Sequence, residues 1–435
     1  MNSATKKMFY EKPYEFEFTS KVKSIEKNEI KTGKETAIKY EIILEETLFY
    51  PEGGGQIADI GELNGIGVEY VYEKEISDAN SNPDNTESQG TIIYHRLSCA
   101  NDPGFKAGDT ITGKICREAR IQNTNDHTGQ HILSESFIRT SNLHTVSMHM
   151  GADFMTIDLK MENLPKNFKL EKEIIEKAED MANSIISQNL AVKTFFVKKE
   201  ELSNYKLRKM PDLKDQFVRI IDIGGFDVSL CCGTHVSKTG DIGLIKVIGQ
   251  EKVAAGTRIK FVCGKKAFDD YRQKNYIITE IAEAMSIKHI DLKKSVDKMT
   301  EENRQLQKQK NDLFDKYYQA VSAKLAAGEL LESGIYCEVI EDYNYQEVSR
   351  IGQIFSKSTG NFTFLLIKPE DNNGVKTFRF VTGKTAQNQT DIKALFAKLT
   401  EKYQIKGGGS PVLMQGGLVE MSKLPEFKEF FMKNL

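Results

Sequence analysis

Between Tyr14 and Ile115 apolar and polar residues alternate in short runs, YEFEFTSKVKSI, AIKYEIILEETLFY, GIGVEYVYEKE, GTIIYHRL and GDTITGKI, separated by Gly, Asn, Pro and Asp. A period of two turns one side of each run toward a core, which predicts an antiparallel sheet or small barrel. The insert SDANSNPDNTESQG is polar and contains proline, the pattern of a surface loop or mobile tip. From Arg117 the period lengthens to a helix through HTGQHILSESFIRT. A strand FMTIDL, a helix near LEKEIIEKAEDMANSIISQNL and a strand AVKTFFV follow. QFVRIIDIG and DIGLIKVIGQEKVAAGTRIKFVCG then flank a cysteine loop, and this order predicts an α+β domain.

From Ala267 to Ala320 the chain is charged and has neither Gly nor Pro. Leu292, Val296, Met299, Asn303, Leu306, Lys310, Leu313 and Tyr317 recur there at alternating steps of four and three, a heptad seam. Two structures satisfy it: a coiled-coil-like stalk, or one long solvated helix packed on its own domain. The final segment mixes strands such as FTFLLIK and KTFRFVTG with helices such as TDIKALFAKLTEKY, and carries KGGGSPVLMQGG. The expected fold class is α+β, with an N-terminal antiparallel β-barrel domain over 1–115 and a second, α+β domain over 116–265. A helical linker over 266–325 and a small C-terminal α/β domain over 326–435 complete it.

Composition narrows the class. The chain has 435 residues, enough for about three domains, with 39% hydrophobic and 28% charged residues. No apolar run approaches the ~20 residues that span a bilayer, and the N-terminus has no apolar signal core, so a cytoplasmic protein without a membrane partner is expected. Six cysteines, with Cys231 and Cys232 adjacent, do not form a secreted disulfide framework. A formal charge of −2 gives no global pull on nucleic acid, so RNA would be met through a local basic patch such as Lys193 to Lys209.

Candidate chemistry concentrates in two pairs. His127 and His131 stand four apart on the predicted helix, one above the other, so both rings can reach one metal ion. Metalloproteases with this spacing place a glutamate base after the first histidine, where this chain has Thr128. About a hundred residues later, SLCCGTHVSKTGDIG repeats the spacing with Cys231 and His235. Thiolate and imidazole suit Zn²⁺, and two pairs from separate elements can close a tetrahedron around one ion. Asn125 and Asp126 read as caps of the helix, and Glu135 as an exposed helix residue or a neighbour of the ligands.

HTGQH followed by CCGTHV resembles the H-x-x-x-H and C-x-x-x-H motifs of the editing domain of alanyl-tRNA synthetases. LFYPEGGGQIADIGEL is similar to the glycine-rich segment before that domain, and KGGGSPVLMQGG to the signature of the C-terminal, DHH-associated domain. No alanine-activating domain is expected ahead of them, so the resemblance points to a freestanding alanyl-tRNA editing protein of the long type. It implies hydrolysis, in trans, of serine and possibly glycine esters of tRNA for alanine, with one Zn²⁺ on His127, His131, Cys231 and His235. Cys232 stands where the motif usually has glycine and offers a rival sulfur; Cys231 keeps the spacing. Gln56, His127 and His131 are the expected catalytic residues. Gly53, Gly54, Gly55, Arg117, Arg120, Arg208 and Lys209 are the expected contacts to substrate and tRNA, against the plain alternatives of a hairpin turn and solvated charges. A homodimer through the helical segment or C-terminal domain is allowed. A threonyl-type editing hydrolase and a non-catalytic, zinc-stabilised RNA-binding protein are the alternative readings.

Overall fold

The period-two runs of the first 115 residues form six strands in the computed structural model of the chain, which describes residues 3–32, 35–76, 90–99, 101–160, 170–209, 216–254, 256–327, 334–372 and 374–435. Most of the polar insert, residues 77–89, lies outside them. The strands pair in a closed ring in the order Glu17–Thr32, Glu35–Leu44, Thr91–Leu97, Ile66–Glu75, Gly61–Leu63 and Thr110–Ile115, the last returning to the first. Alternate residues point inward, where Val22, Ile42, Leu44, Val71, Ile93, Leu97 and Ile111 pack around Phe49. Phe18 pairs with Gly113 on the neighbouring strand, and a Cβ on that glycine would meet the Phe18 ring at 2.3 Å.

The chain leaves the ring directly into the helix Arg117–Ser141. Asn142, at φ 53°, ends it in the left-handed conformation that asparagine tolerates, its N–H returning to the Ile138 carbonyl. Because the helix starts at Arg117, Asn125 and Asp126 lie in its interior and cap nothing; Asp126 instead accepts from Gln122 and Lys266. Residues Asn123 to Phe137 are nearly all buried, polar ones included. One flank packs Ile132, Leu133 and Phe137 against a four-stranded sheet ordered Ile245–Val253, Gly256–Cys263, Met155–Lys160, Thr145–Met150, and against Ala178, Ala182 and Ile186 of the helix Lys172–Ser187. A three-stranded sheet, Val192–Lys198, Phe217–Ile223 and Asp227–Leu230, leads into the cysteine loop.

Contacts divide the chain into two units, Met1–Ile281 and Ala282–Leu435. In the second, a five-stranded sheet runs Ile335–Val339, Thr363–Asn372, Val375–Lys384, Leu413–Glu420, Lys406–Ser410; its first pair is parallel and the others antiparallel. The helix Leu292–Ala326 packs Phe314, Tyr318 and Leu325 on Val348, Ile351 and Phe355 of this same unit. Its heptad seam is a different stripe: Val296, Met299, Leu306, Leu313 and Tyr317 are between 48% and 67% exposed, and Lys310 pairs with Glu347. The α+β class read from the sequence is the class observed. Among the described residues no helix is long and apolar enough to cross a membrane.

Candidate metal centre

His127, His131, Cys231 and His235 each present one ligand atom to a common point, with all four atoms within 4.8 Å of one another. Cys231 Sγ lies 3.3 Å from His127 Nε2 and 3.2 Å from His235 Nε2. Nitrogen at 2.0–2.1 Å and sulfur at 2.3 Å from a tetrahedral Zn²⁺ stand about 3.5 Å apart, so the donor set and its spacing fit such an ion.

The second nitrogen of every ring is occupied. His127 Nδ1–H donates to Gln56 Oε1 at 2.8 Å, and His131 Nδ1–H to Asp227 Oδ2 at 2.8 Å. His235 Nδ1–H donates to Thr128 Oγ1 at 3.2 Å, since that hydroxyl already gives its proton to the Thr124 carbonyl. Holding Nδ1–H in this way fixes the tautomer that leaves Nε2 with a lone pair for a metal. Thr128, where a protease would carry its base, therefore serves as an anchor for His235.

The cysteine loop reaches the helix because Gly233 has no side chain: a Cβ there would lie 2.1 Å from His127 Cε1. Gly129 does the same on the helix, where a Cβ would fall 2.5 Å from Cys263 Sγ. Arg219 ties the loop down, donating to the carbonyls of Cys231 and Gly233. Burial alone would push the Cys231 thiol up, but the His127, His235 and His131 rings hold it well below its ordinary range, as a thiolate. Burial presses His131 and His235 down; the Cys231 thiolate and Asp227 reverse this for His131, which is raised, while His235 stays low.

The other expected site residues fall in several places. Cys231 joins the cluster, and Cys232 lies outside it, exposed. Gly53 and Gln56 bond each other's backbone around Gly54 and Gly55, at φ 58° and 83°, so the glycine run is a tight turn. The turn delivers Gln56, expected as a catalytic residue; its side chain is completely buried and committed to the His127 ring and Thr234. Arg120 also needs correcting. It is 1% exposed, and its guanidinium donates to the buried Asp59 carboxylate and the Leu48 carbonyl, so it docks the helix on the barrel and cannot meet a phosphate. Arg117 is exposed beside the Phe16 ring. Arg208 is partly buried against His131 and Asp227, with Lys209 exposed next to it. Glu135 pairs with Arg139, away from the cluster. Asp227, four residues before Cys231, was missed; the same four-residue spacing that exposed the ligands was its only signal.

Comparison with known proteins agrees with these motifs. Residues 218–259 match the family described as threonyl and alanyl tRNA synthetase second additional domain, and residues 1–119 match tRNA synthetases class II (A). An alanine–tRNA ligase of Methanococcus maripaludis is 26% identical over 419 residues, 95% of this chain and 42% of that protein. Those of Buchnera aphidicola and Caldivirga maquilingensis are each 28% identical, over 88% and 95% of this chain and 42% of theirs. A solved C-Ala domain of Aquifex aeolicus alanyl-tRNA synthetase aligns at 19% identity over 23% of this chain and 89% of that one, with a TM-score of 0.21. This chain spans less than half the length of the curated relatives it matches. The likeness therefore extends along nearly all of this chain, and the chain is related to alanyl-tRNA synthetases.

Proposed function

We propose that this protein is a zinc-dependent aminoacyl-tRNA deacylase that removes serine from tRNA for alanine charged by another enzyme. The observation that carries the reading is the convergence of three imidazoles and one thiolate, each ring oriented through its far nitrogen. An aminoacyl ester is already activated, so a positioned water and help for the developing oxyanion suffice. A Zn²⁺ ion in this cluster would supply Lewis-acid polarisation. The chain's own contribution is to hold the rings in one tautomer and the thiol as thiolate, and to bring the exposed tip of the glycine turn beside the helix. Arg117 and the second unit would add affinity for the tRNA backbone.

Four protein ligands also favour a second reading, a purely structural zinc in an RNA-binding protein, because closed tetrahedral sites are usually structural. Deacylation of a panel of mischarged tRNAs by the full chain, with and without chelator and with circular dichroism as the folding control, separates the readings. The deacylase should hydrolyse Ser-tRNA for alanine far faster than the correct Ala-tRNA, and lose that activity in His131→Ala. Equal rates on both esters, or no hydrolysis by folded, zinc-loaded protein, would refute it; preference for seryl esters of tRNA for threonine would move it to the threonyl-type substrate.

A further inference from the structure

The helix Arg117–Ser141 gives Asn125 no work as a cap, yet buries it: the residue is 8% exposed, and its side-chain amide has no hydrogen-bond partner among the described residues. Burying an amide without a partner is costly. This one lines a cavity of about 390 Å³ between the segment before the first barrel strand, the start of the helix and the segment after the cysteine loop. None of the four clustered residues lines that cavity. Its walls divide by chemistry. Phe16, Ile121 and Val236 form an apolar side. The charged residues lining it are Arg117, Arg120 and Asp241, of which Arg120 is neutralised by Asp59. Arg117 has no carboxylate partner among the described residues; its guanidinium lies over the Phe16 ring, 5.4 Å from the centroid. Both bonds that Asp241 accepts, from Ser237 Oγ–H and Lys238 N–H, fall on Oδ2, so Oδ1 is open. Tyr14 Oη accepts the Ser237 N–H at 2.5 Å, which leaves the phenol proton to donate.

One free cation and one free carboxylate give the cavity a lining without net charge. A phosphate dianion would meet Asp241 as well as Arg117, and a plain hydrocarbon would leave Asn125 stranded. A zwitterion with an apolar tail answers every group: guanidinium takes a carboxylate, carboxylate takes an ammonium, and the aliphatic wall covers the tail. We infer that this cavity binds a free α-amino acid with an aliphatic side chain. Its carboxylate meets Arg117, its ammonium meets Asp241, the Asn125 amide bonds the polar end, and the side chain lies against Ile121 and Val236. The site is separate from the function proposed above and shares with it only Arg117.

The test is isothermal titration of the full chain, zinc-supplemented, with L-leucine, glycine, 4-methylpentanoate and 3-methylbutylamine; the last two keep the leucine side chain and one of its two charges. Leucine should bind about tenfold or more tightly than glycine, because glycine offers the apolar wall nothing. Each single-charge analogue should bind about tenfold more weakly than leucine, the loss of one charge-assisted contact. Arg117→Gln, at an exposed position, should weaken leucine by about the same factor. Ile121→Trp, which fills the apolar side, should abolish binding while circular dichroism and zinc content stay unchanged. If that variant does not fold, the ligand series and Arg117→Gln still decide. No leucine binding, glycine or a single-charge analogue binding as tightly as leucine, or binding indifferent to Arg117→Gln would overturn the assignment. Leucine binding that survives Arg117→Gln and is lost when zinc is removed would place the amino acid on the metal cluster instead. No tRNA enters the assay, so its failure leaves the deacylase reading to the mischarged-tRNA panel.

Discussion

Replacing Arg120 with Met removes the cation from a pair in which Arg120 is 1% and Asp59 0% exposed. The Asp59 carboxylate then keeps one backbone donor, the Tyr50 N–H at 2.6 Å, and no charge partner. Stranding one member of a buried pair costs about 3–5 kcal/mol. At roughly 2–4 °C per kcal/mol for a unit of this size, the melting transition of the first unit should fall by about 10 °C. The double variant Arg120→Met, Asp59→Leu should recover most of that, because a matched apolar pair has no uncompensated charge. Asp59 lies three residues beyond Gln56, so the single variant should also slacken the grip on His127 and lower zinc affinity. The assay is thermal unfolding of the full chain followed by circular dichroism, with zinc content alongside. A surface arginine contacting phosphate would behave oppositely, leaving the midpoint alone and flattening the salt dependence of tRNA binding. A midpoint within about 2 °C of wild type, or a double variant no better than the single, would refute the docking role.

Metal analysis should find zinc lost in Cys231→Ala and retained in Cys232→Gly, since only the first sulfur sits among the imidazoles; the reverse pattern would exchange the ligands. Asp227→Asn should weaken zinc binding about 10- to 100-fold in a chelator competition while the protein stays folded, as expected when the partner orienting a ligand is altered. His95 is buried in the barrel between the Ile42 carbonyl and the Thr47 hydroxyl, and burial pushes it down to about 4. Its unfolded counterpart titrates near 6.5, so its contribution to stability is complete above about 6.5 and is lost as pH falls toward 4, about 3 kcal/mol in all. Urea midpoints across that window should fall more steeply for wild type than for His95→Gln, and parallel curves would contradict the assignment.

The four members of the cluster were legible because each pair is set by local geometry: a four-residue step on a helix and a four-residue step in a loop. Strand and helix periods were legible for the same reason. What escaped depends on contacts between distant segments. Gln56 meets His127 across 71 positions, and Arg120 finds Asp59 across 61. Nothing near Arg120 distinguishes it from Arg117, which stays exposed three residues earlier. The ligand-bearing helix shows the same limit in its composition. Asn123, Thr124, Asn125, Asp126, Thr128 and Gln130 would normally mark a solvated face, yet all are buried; the helix itself, the cysteine loop and Lys266 supply hydrogen-bond partners to Thr124, Asp126, Thr128 and Gln130. The heptad seam was legible as a pattern, but the stripe that anchors its helix, Phe314 to Leu325, was set by a sheet folded from later residues.

Each imidazole is steadied from a different piece of chain: a barrel turn, the strand before the cysteine loop, and the ligand helix itself. A metal ion bound there would be linked thermodynamically to the docking of all three. Occupancy at a hundred times the dissociation constant adds about 2.7 kcal/mol to whatever equilibrium separates docked from undocked segments. Backbone amides of the barrel turn and the cysteine loop should then slow together in hydrogen exchange when zinc is added, although they are nearly 180 residues apart in sequence, as the Gln56 to Thr234 bonds already suggest. The cluster is in this sense a clasp: a cation bound there would couple the barrel turn, the strand before the cysteine loop and the helix that Arg120 and Asp59 already dock on the barrel.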